Sequence, residues 1–266
     1  MQALRPCKRW DFRPFRACSL GATVEREEAE RELSSMRPPL AALPIIVAGL
    51  GWTVLYRLGR GYGAVPAERS APLPGDRVIR RPDVVCTHAT TINAPPQQVW
   101  PWLQQVGWHR GGWYTARWVD RLLFPDHWAS ADELLPNYRQ LAVGDFIPDG
   151  APESGCGFTV EDLRPERYLL LHSTTHLPRS WRESGIAALD WTWVFLLYPV
   201  GGGARTRFVF RWRGWTHPWW LRLMCHAVIV PADFLMSRDM LTGLRQRAER
   251  TAPSTLTRSF SVAGQR

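Results

Sequence analysis

Residues 191–213 read WTWVFLLYPVGGGARTRFVFRWR, and this stretch decides the fold. In its first half, extended back by two positions, Leu189, Trp191, Trp193, Phe195 and Leu197 share one side of an extended chain, with Asp190, Thr192 and Tyr198 on the other. In its second half Thr206, Phe208, Phe210 and Trp212 alternate with Arg205, Arg207, Arg211 and Arg213. Successive side chains of a strand point to opposite faces. A period of two on both sides of the turn from Val200 to Ala204 therefore predicts an antiparallel hairpin, aromatic inside and arginine-bearing outside. A one-residue slip would expose four aromatic or apolar side chains, so the register is well specified.

Working outward, a strand is expected over Val84–Ile92, stopped by Asn93-Ala94-Pro95-Pro96. Proline in a first helical turn costs little, because its missing N–H would have no intrahelical partner there. The helix from Pro96 to about Val106 places Val99, Trp102 or Leu103, and Val106 on one face, and a second short helix is expected over 116–123. Short strands follow around Phe146, over Phe158–Leu163 and over Tyr168–His172. After the hairpin, a long helical pattern runs from Pro218 to about Arg250, which Pro231 must kink or interrupt. The class is α+β.

The 266 residues carry 33 Lys+Arg against 24 Asp+Glu, a net charge of +9. Partitioned, that excess belongs to the flanks: residues 82–250 hold 17 basic and 16 acidic side chains. A nucleic-acid reader needs its positive field on the folded domain, so no nucleic-acid partner is expected. Lys8 is the only lysine, which removes P-loop, Schiff-base and lysine-base chemistry from the folded part. The five cysteines (Cys7, Cys18, Cys86, Cys156, Cys225) are never in a C-x-x-C pair and read as free, mostly buried thiols.

Between Arg37 and Arg57 the chain has no charge: Pro38 to Tyr56 reads PPLAALPIIVAGLGWTVLY. Nineteen helical residues rise about 28 Å, close to the hydrocarbon thickness of a bilayer. The preferred reading is a single membrane anchor over 38–58. A secretory signal beginning at Met36, with Val65-Pro66-Ala67 as a poor cleavage site, and a buried soluble helix are the alternatives. Arginines flank both ends, and those at 57, 60 and 69, with 77, 80 and 81 beyond, lean the orientation toward a cytoplasmic C-terminal domain. The domain plan is a polar tail over 1–37, the anchor, a Pro/Gly/Arg-rich linker over 59–82, a folded domain over 83–250 and a disordered tail over 251–266. Arg222, His226 and Asp233 interrupt the apolar run of the C-terminal helix and argue against a second span.

Strand, two short helices, antiparallel strands and a long C-terminal helix is the layout of the helix-grip fold. The stretches THATTINAPPQQVWPWLQQVG (87–107), RGGWYTARWVDRL (110–122), LAVGDFIP (141–148) and 191–211 resemble the START-like superfamily of polyketide cyclase/dehydrases and lipid-transfer proteins. The resemblance extends to its bacterial membrane-anchored branch through the N-terminal apolar segment and APLPGD (71–76). It covers roughly 71–250 and departs at Asn93, where that family more often has Asp. What it implies is a sheet curled around the long helix with a cavity between them. Trp191, Trp193, Phe208, Phe210 and Trp212 would line that cavity, with Tyr114 and Trp118 from the helical side, or these aromatics would simply fill the core. His172, ending a strand, is a further polar cavity candidate. His109 and Arg110, in a glycine-bearing loop, would stand at the cavity mouth or form a structural turn.

Other chemistry is not supported. His172 and His176 have the spacing of a helical zinc pair, but this segment reads as strand and loop, so no metal is expected. Neighbouring carboxylates at Glu161-Asp162 and Asp132-Glu133 cannot form an acid/base pair unaided on a strand. No cofactor is implied. The expected function is membrane-anchored binding of an apolar small molecule or lipid; the alternative is a cyclase- or dehydratase-type enzyme using the same cavity. A structural role with a solid core is the third reading.

Overall fold

In a computed structural model, which describes residues 43–123 and 129–251, the hairpin forms as its alternation requires. Strands β5 (Ala188–Val200) and β6 (Arg205–His217) pair with Trp193 opposite Trp212 and Phe195 opposite Phe210. The turn between them has positive φ at Gly201, Gly202 and Gly203, a conformation that side chains resist. Around it stand β1 (Val84–Ile92), β2 (Phe146–Pro148), β3 (Gly157–Arg164) and β4 (Tyr168–Ser173). All pairings are antiparallel, in the order β1-β6-β5-β4-β3-β2. The long C-terminal helical segment packs across the inner face. This is the helix-grip architecture, with most of the core between sheet and helix.

The helices expected after β1 and at the C-terminus form, and two short helices appear where none was expected, one of them within the predicted linker. Helix α1 spans Leu43–Gly61, α2 Pro66–Ser70, α3 Pro96–Gln104, α4 Arg117–Leu123 and α5 Arg179–Glu183. The C-terminal segment is α6 (Trp219–Met224), a π-helical turn (Cys225–Ile229) and α7 (Val230–Thr251). The π turn is where Pro231 takes effect. Proline has no N–H for the carbonyl four residues back, here that of Ala227. That orphaned carbonyl accepts instead from the indole N–H of Trp52 on α1, at 2.8 Å. One turn on, Tyr56 Oη lies 3.0 Å from His226 Nδ1. Gly59 completes the contact, since a Cβ there would sit 2.0 Å from Val230 O.

Two expectations change. The stretch 59–82, predicted as a linker, begins as the end of α1 and then lies against the outer face of the sheet. The arginine row predicted on that face is accordingly covered: Arg211 is 2% exposed. It donates to Thr87 Oγ1, to Asp76 Oδ2 and to the carbonyl oxygens of Ala71, Glu68 and Arg69. Arg207 holds Glu68 with two bonds of 2.7 and 2.8 Å, and Arg213 donates to Ile79 O. A second apolar cluster of Ala64, Leu73, Leu170, Val194 and Val209 lies between this strap and the sheet. Pro/Gly-rich backbone without periodicity reads as linker, but its carbonyls are the acceptors these arginines need.

Helix α1 begins at Leu43, so residues 38–42 of the predicted anchor lie outside the described residues, as do the tail over 1–37 and residues 252–266. Leu43, Ile45, Val47, Leu50, Val54 and Leu55 on α1 are exposed. Among the described residues, the helix whose length and composition would suit a membrane span is the C-terminal one, Trp219–Thr251. Its buried side chains, including Phe234, Met240, Leu241 and Leu244, pack in the domain. Cys86 and Cys225 are buried and free, and Cys156 is half-buried and free; Cys7 and Cys18 lie outside the described residues.

Candidate functional site

The aromatic inner face is not uniform along the hairpin. At the turn end Phe195 stacks on Phe210 at 5.1 Å and on Phe208 at 6.1 Å, and all three are fully buried. That half is solid core. At the other end the indoles hold the sheet and helix apart, leaving a cavity of about 430 Å³. Trp191 and Trp193 of β5 and Phe158 of β3 form its sheet wall. Trp113, Thr115, Trp118 and Val119 come from α4 and the loop before it, and Ile229, Ala232, Asp233, Leu235 and Met236 from the C-terminal helix. Asp149, after β2, and His176, after β4, supply the polar corner.

That corner is a closed network. Asp149 Oδ2 accepts from His176 Nε2 at 2.9 Å, and Asp149 Oδ1 accepts from Trp113 Nε1 at 2.7 Å. His176 Nδ1 lies 2.8 Å from Ser173 Oγ, which in turn contacts Thr175 Oγ1 at 3.0 Å. Burial alone would push the imidazole pKa down, but the hydrogen bonds to Asp149 and Cys156 outweigh it and raise it to about 9. The raised pKa favours the protonated imidazole beside Asp149.

Asp233 forms a second polar point. Its Oδ2 accepts from Trp212 Nε1 at 2.7 Å and Ser237 Oγ at 2.9 Å, and His88 Nε2 lies 3.3 Å away. The His88 ring is fully buried, but its nitrogens lack hydrogen-bond geometry to any acceptor, so this contact is read as proximity rather than a bond. The indole nitrogens of Trp191 and Trp193 are also buried without a protein acceptor. Donors without partners inside a protein are costly.

Of the ten residues singled out from the sequence, Trp118, Trp191 and Trp193 line this cavity. Phe208, Phe210 and Trp212 lie beyond it in the core. Tyr114 is buried beside Trp102 and donates its hydroxyl to the Trp102 carbonyl at 2.6 Å; burial pushes its pKa up. His172 faces the outer side of β4, 2.6 Å from Asp190 and 3.8 Å from Glu161. Arg110 lies over the Tyr138 ring and donates to Gln104 O, while His109 packs edge-on against Trp108. Neither lines the cavity. His172 and His176 therefore belong to different faces of the sheet and share no site.

Sequence reasoning missed His176, Asp149, Trp113 and Asp233. An aspartate on the apolar face of a helix was a usable signal for Asp233. Asp149 gave none, because it follows a three-residue strand in a loop.

No protein-family model matches this sequence, and no curated protein matches it. Solved structures similar to it include a Mesorhizobium loti protein (18% identity over 64% of this chain and 99% of that one, TM-score 0.38). Also similar are a polyketide-cyclase-like protein of Corynebacterium glutamicum (13% identity, 68% and 97% covered, TM-score 0.27) and the Zhui aromatase/cyclase of a Streptomyces species (12% identity, 64% and 96% covered, TM-score 0.27). The fold assignment rests on the strand order and C-terminal helix described above.

Proposed function

We propose that this chain is a membrane-tethered binding domain whose cavity holds an apolar small molecule, such as a single-chain lipid or a polyketide-like ring system. The observation that carries this is the cavity itself, about 430 Å³, with ten of its fourteen lining residues aromatic or aliphatic. The exposed apolar row on α1 supports the tether, and Arg57, Arg60 and Arg69 after it support a cytoplasmic domain.

A cyclase- or dehydratase-type enzyme is the second reading, favoured by one observation: Asp149, His176 and Asp233 converge on a single cavity. Against it, both ring nitrogens of His176 are engaged, by Asp149 and Ser173, so no position is left to pass a proton to a ligand without breaking the network. Binding of the neutral fluorophore N-phenyl-1-naphthylamine to the full chain in nanodiscs tests the first reading. Saturable one-to-one binding, with energy transfer from the tryptophans and displacement by single-chain fatty acids, is expected; absence of a saturable site would refute it.

A further inference from the structure

A helix packed on a sheet normally turns its outer side to water and carries charge there. The segment Trp219–Ser237 does not. Its exposed positions are Trp219, Arg222, Leu223, Met224, Val228, Ala232 and Leu235, a single charge among seven. The polar face starts at Arg238 and continues with Gln246 and Arg250. This is why the helix has a mean hydropathy of 1.2 over its most apolar window while its other side packs in the core.

Two further observations say what covers this face. First, Ala232, Leu235 and Trp118 are exposed and also line the cavity, so the cavity opens onto it. Second, the contacts of Trp52, Tyr56 and Gly59 bind α1 to the same segment at Ala227, His226 and Val230. Leu55, which flanks Trp52, Tyr56 and Gly59 on the contacting side of α1, is exposed as well, and Arg222, the one exposed charge within the segment, is paired with Asp83 at 3.3 Å. Apolar side chains with so little free charge among them match the acyl-chain side of a bilayer interface.

We infer that the Trp219–Leu235 face, with Trp118, seats in the bilayer interface and that the cavity loads its occupant directly from the membrane. This rests on the tethered-binding reading above, and α1 would set the placement by fixing the π turn at the membrane surface.

The test uses the full chain in vesicles of phosphatidylcholine and phosphatidylglycerol, with photoreactive benzoylphenylalanine replacing Leu223, Val228 or, as the water-facing control, Gln246. Lipid adducts at the first two positions and none at the third are expected. No adducts at either, in a chain that resists carbonate extraction, would overturn the inference and leave the tether standing. Adducts in a chain that carbonate extracts would support the interface and refute the tether; extraction without adducts would refute both. The double variant Leu223→Glu, Val228→Glu gives a kinetic readout. Losing two apolar contacts with the bilayer should slow loading of N-phenyl-1-naphthylamine from vesicles at least about tenfold, with unchanged final occupancy. Equal loading rates would overturn the inference.

Discussion

Raising the pH from 6.5 to 9 should remove about 3 kcal/mol of folding stability through His176 alone. The imidazole, with 18% of its side chain exposed, has its pKa raised from the ordinary 6.5 to about 9, because the bonds to Asp149 and Cys156 outweigh its burial. A difference of about 2.5 units at about 1.4 kcal/mol each gives about 3.5 kcal/mol in full, most of which is lost within this window. The sign follows from the direction. A histidine with a raised folded-state pKa binds its proton more tightly in the fold, so its contribution is complete below pH 6.5 and falls away as pH rises through 9. Urea unfolding of the full chain in detergent micelles, for wild type and His176→Gln, measures it: the difference between the two should shrink by about 3 kcal/mol across this window. Asp149→Asn should weaken the trend, since burial is then opposed by Cys156 alone. Histidine ring resonances followed by NMR report the same titration. A wild-type minus His176→Gln difference that stays flat with pH, or a His176 ring that titrates at or below 6.5, would refute the reasoning.

Arg211→Met should destabilise by about 3 kcal/mol in thermal or urea unfolding, because it leaves the carbonyls of Glu68, Arg69 and Ala71 without this donor and removes one of the two arginines on the Asp76 carboxylate. Gly243→Ala should cost about 3 kcal/mol, since its Cβ would stand 1.9 Å from the Tyr114 carbonyl, a backbone atom that cannot swing aside. Pro231→Ala restores an N–H that competes for the Ala227 carbonyl, so Trp52 should lose its acceptor, and the emission component removed by Trp52→Phe should be red-shifted in the Pro231→Ala background. Trp193→Ala should cost about 3–5 kcal/mol of stability and admit larger fluorophores than the wild type does.

The fold was legible because its decisive signal is local. Alternation over 189–213 determines the hairpin, its register and which side is core, and the prolines at 95 and 96 punctuate the passage from β1 to α3. The site was only half legible. Alternation says that Trp191, Trp193, Phe208, Phe210 and Trp212 share a face, but whether that face is filled or hollow depends on what the helix brings opposite. Phe195 and its stacked partners fill one end, whereas the bulk of four indoles leaves the other open. The polar corner joins residues 113, 149 and 176 from three connecting segments with Ser173 at the end of β4, and no periodicity links them. The strap over the outer face was missed for a related reason: its role lies in the carbonyls it offers to Arg211.

The central claim is that the tryptophan end of the sheet encloses a space built to be occupied. Native mass spectrometry of the full chain, released from nanodiscs prepared without detergent extraction of lipids, tests it most directly. The account predicts a discrete added mass at one per chain, reduced in Trp191→Ala and Trp193→Ala variants that remain folded. A chain that stays at its bare mass after equilibration with total lipid extract and with N-phenyl-1-naphthylamine would contradict it.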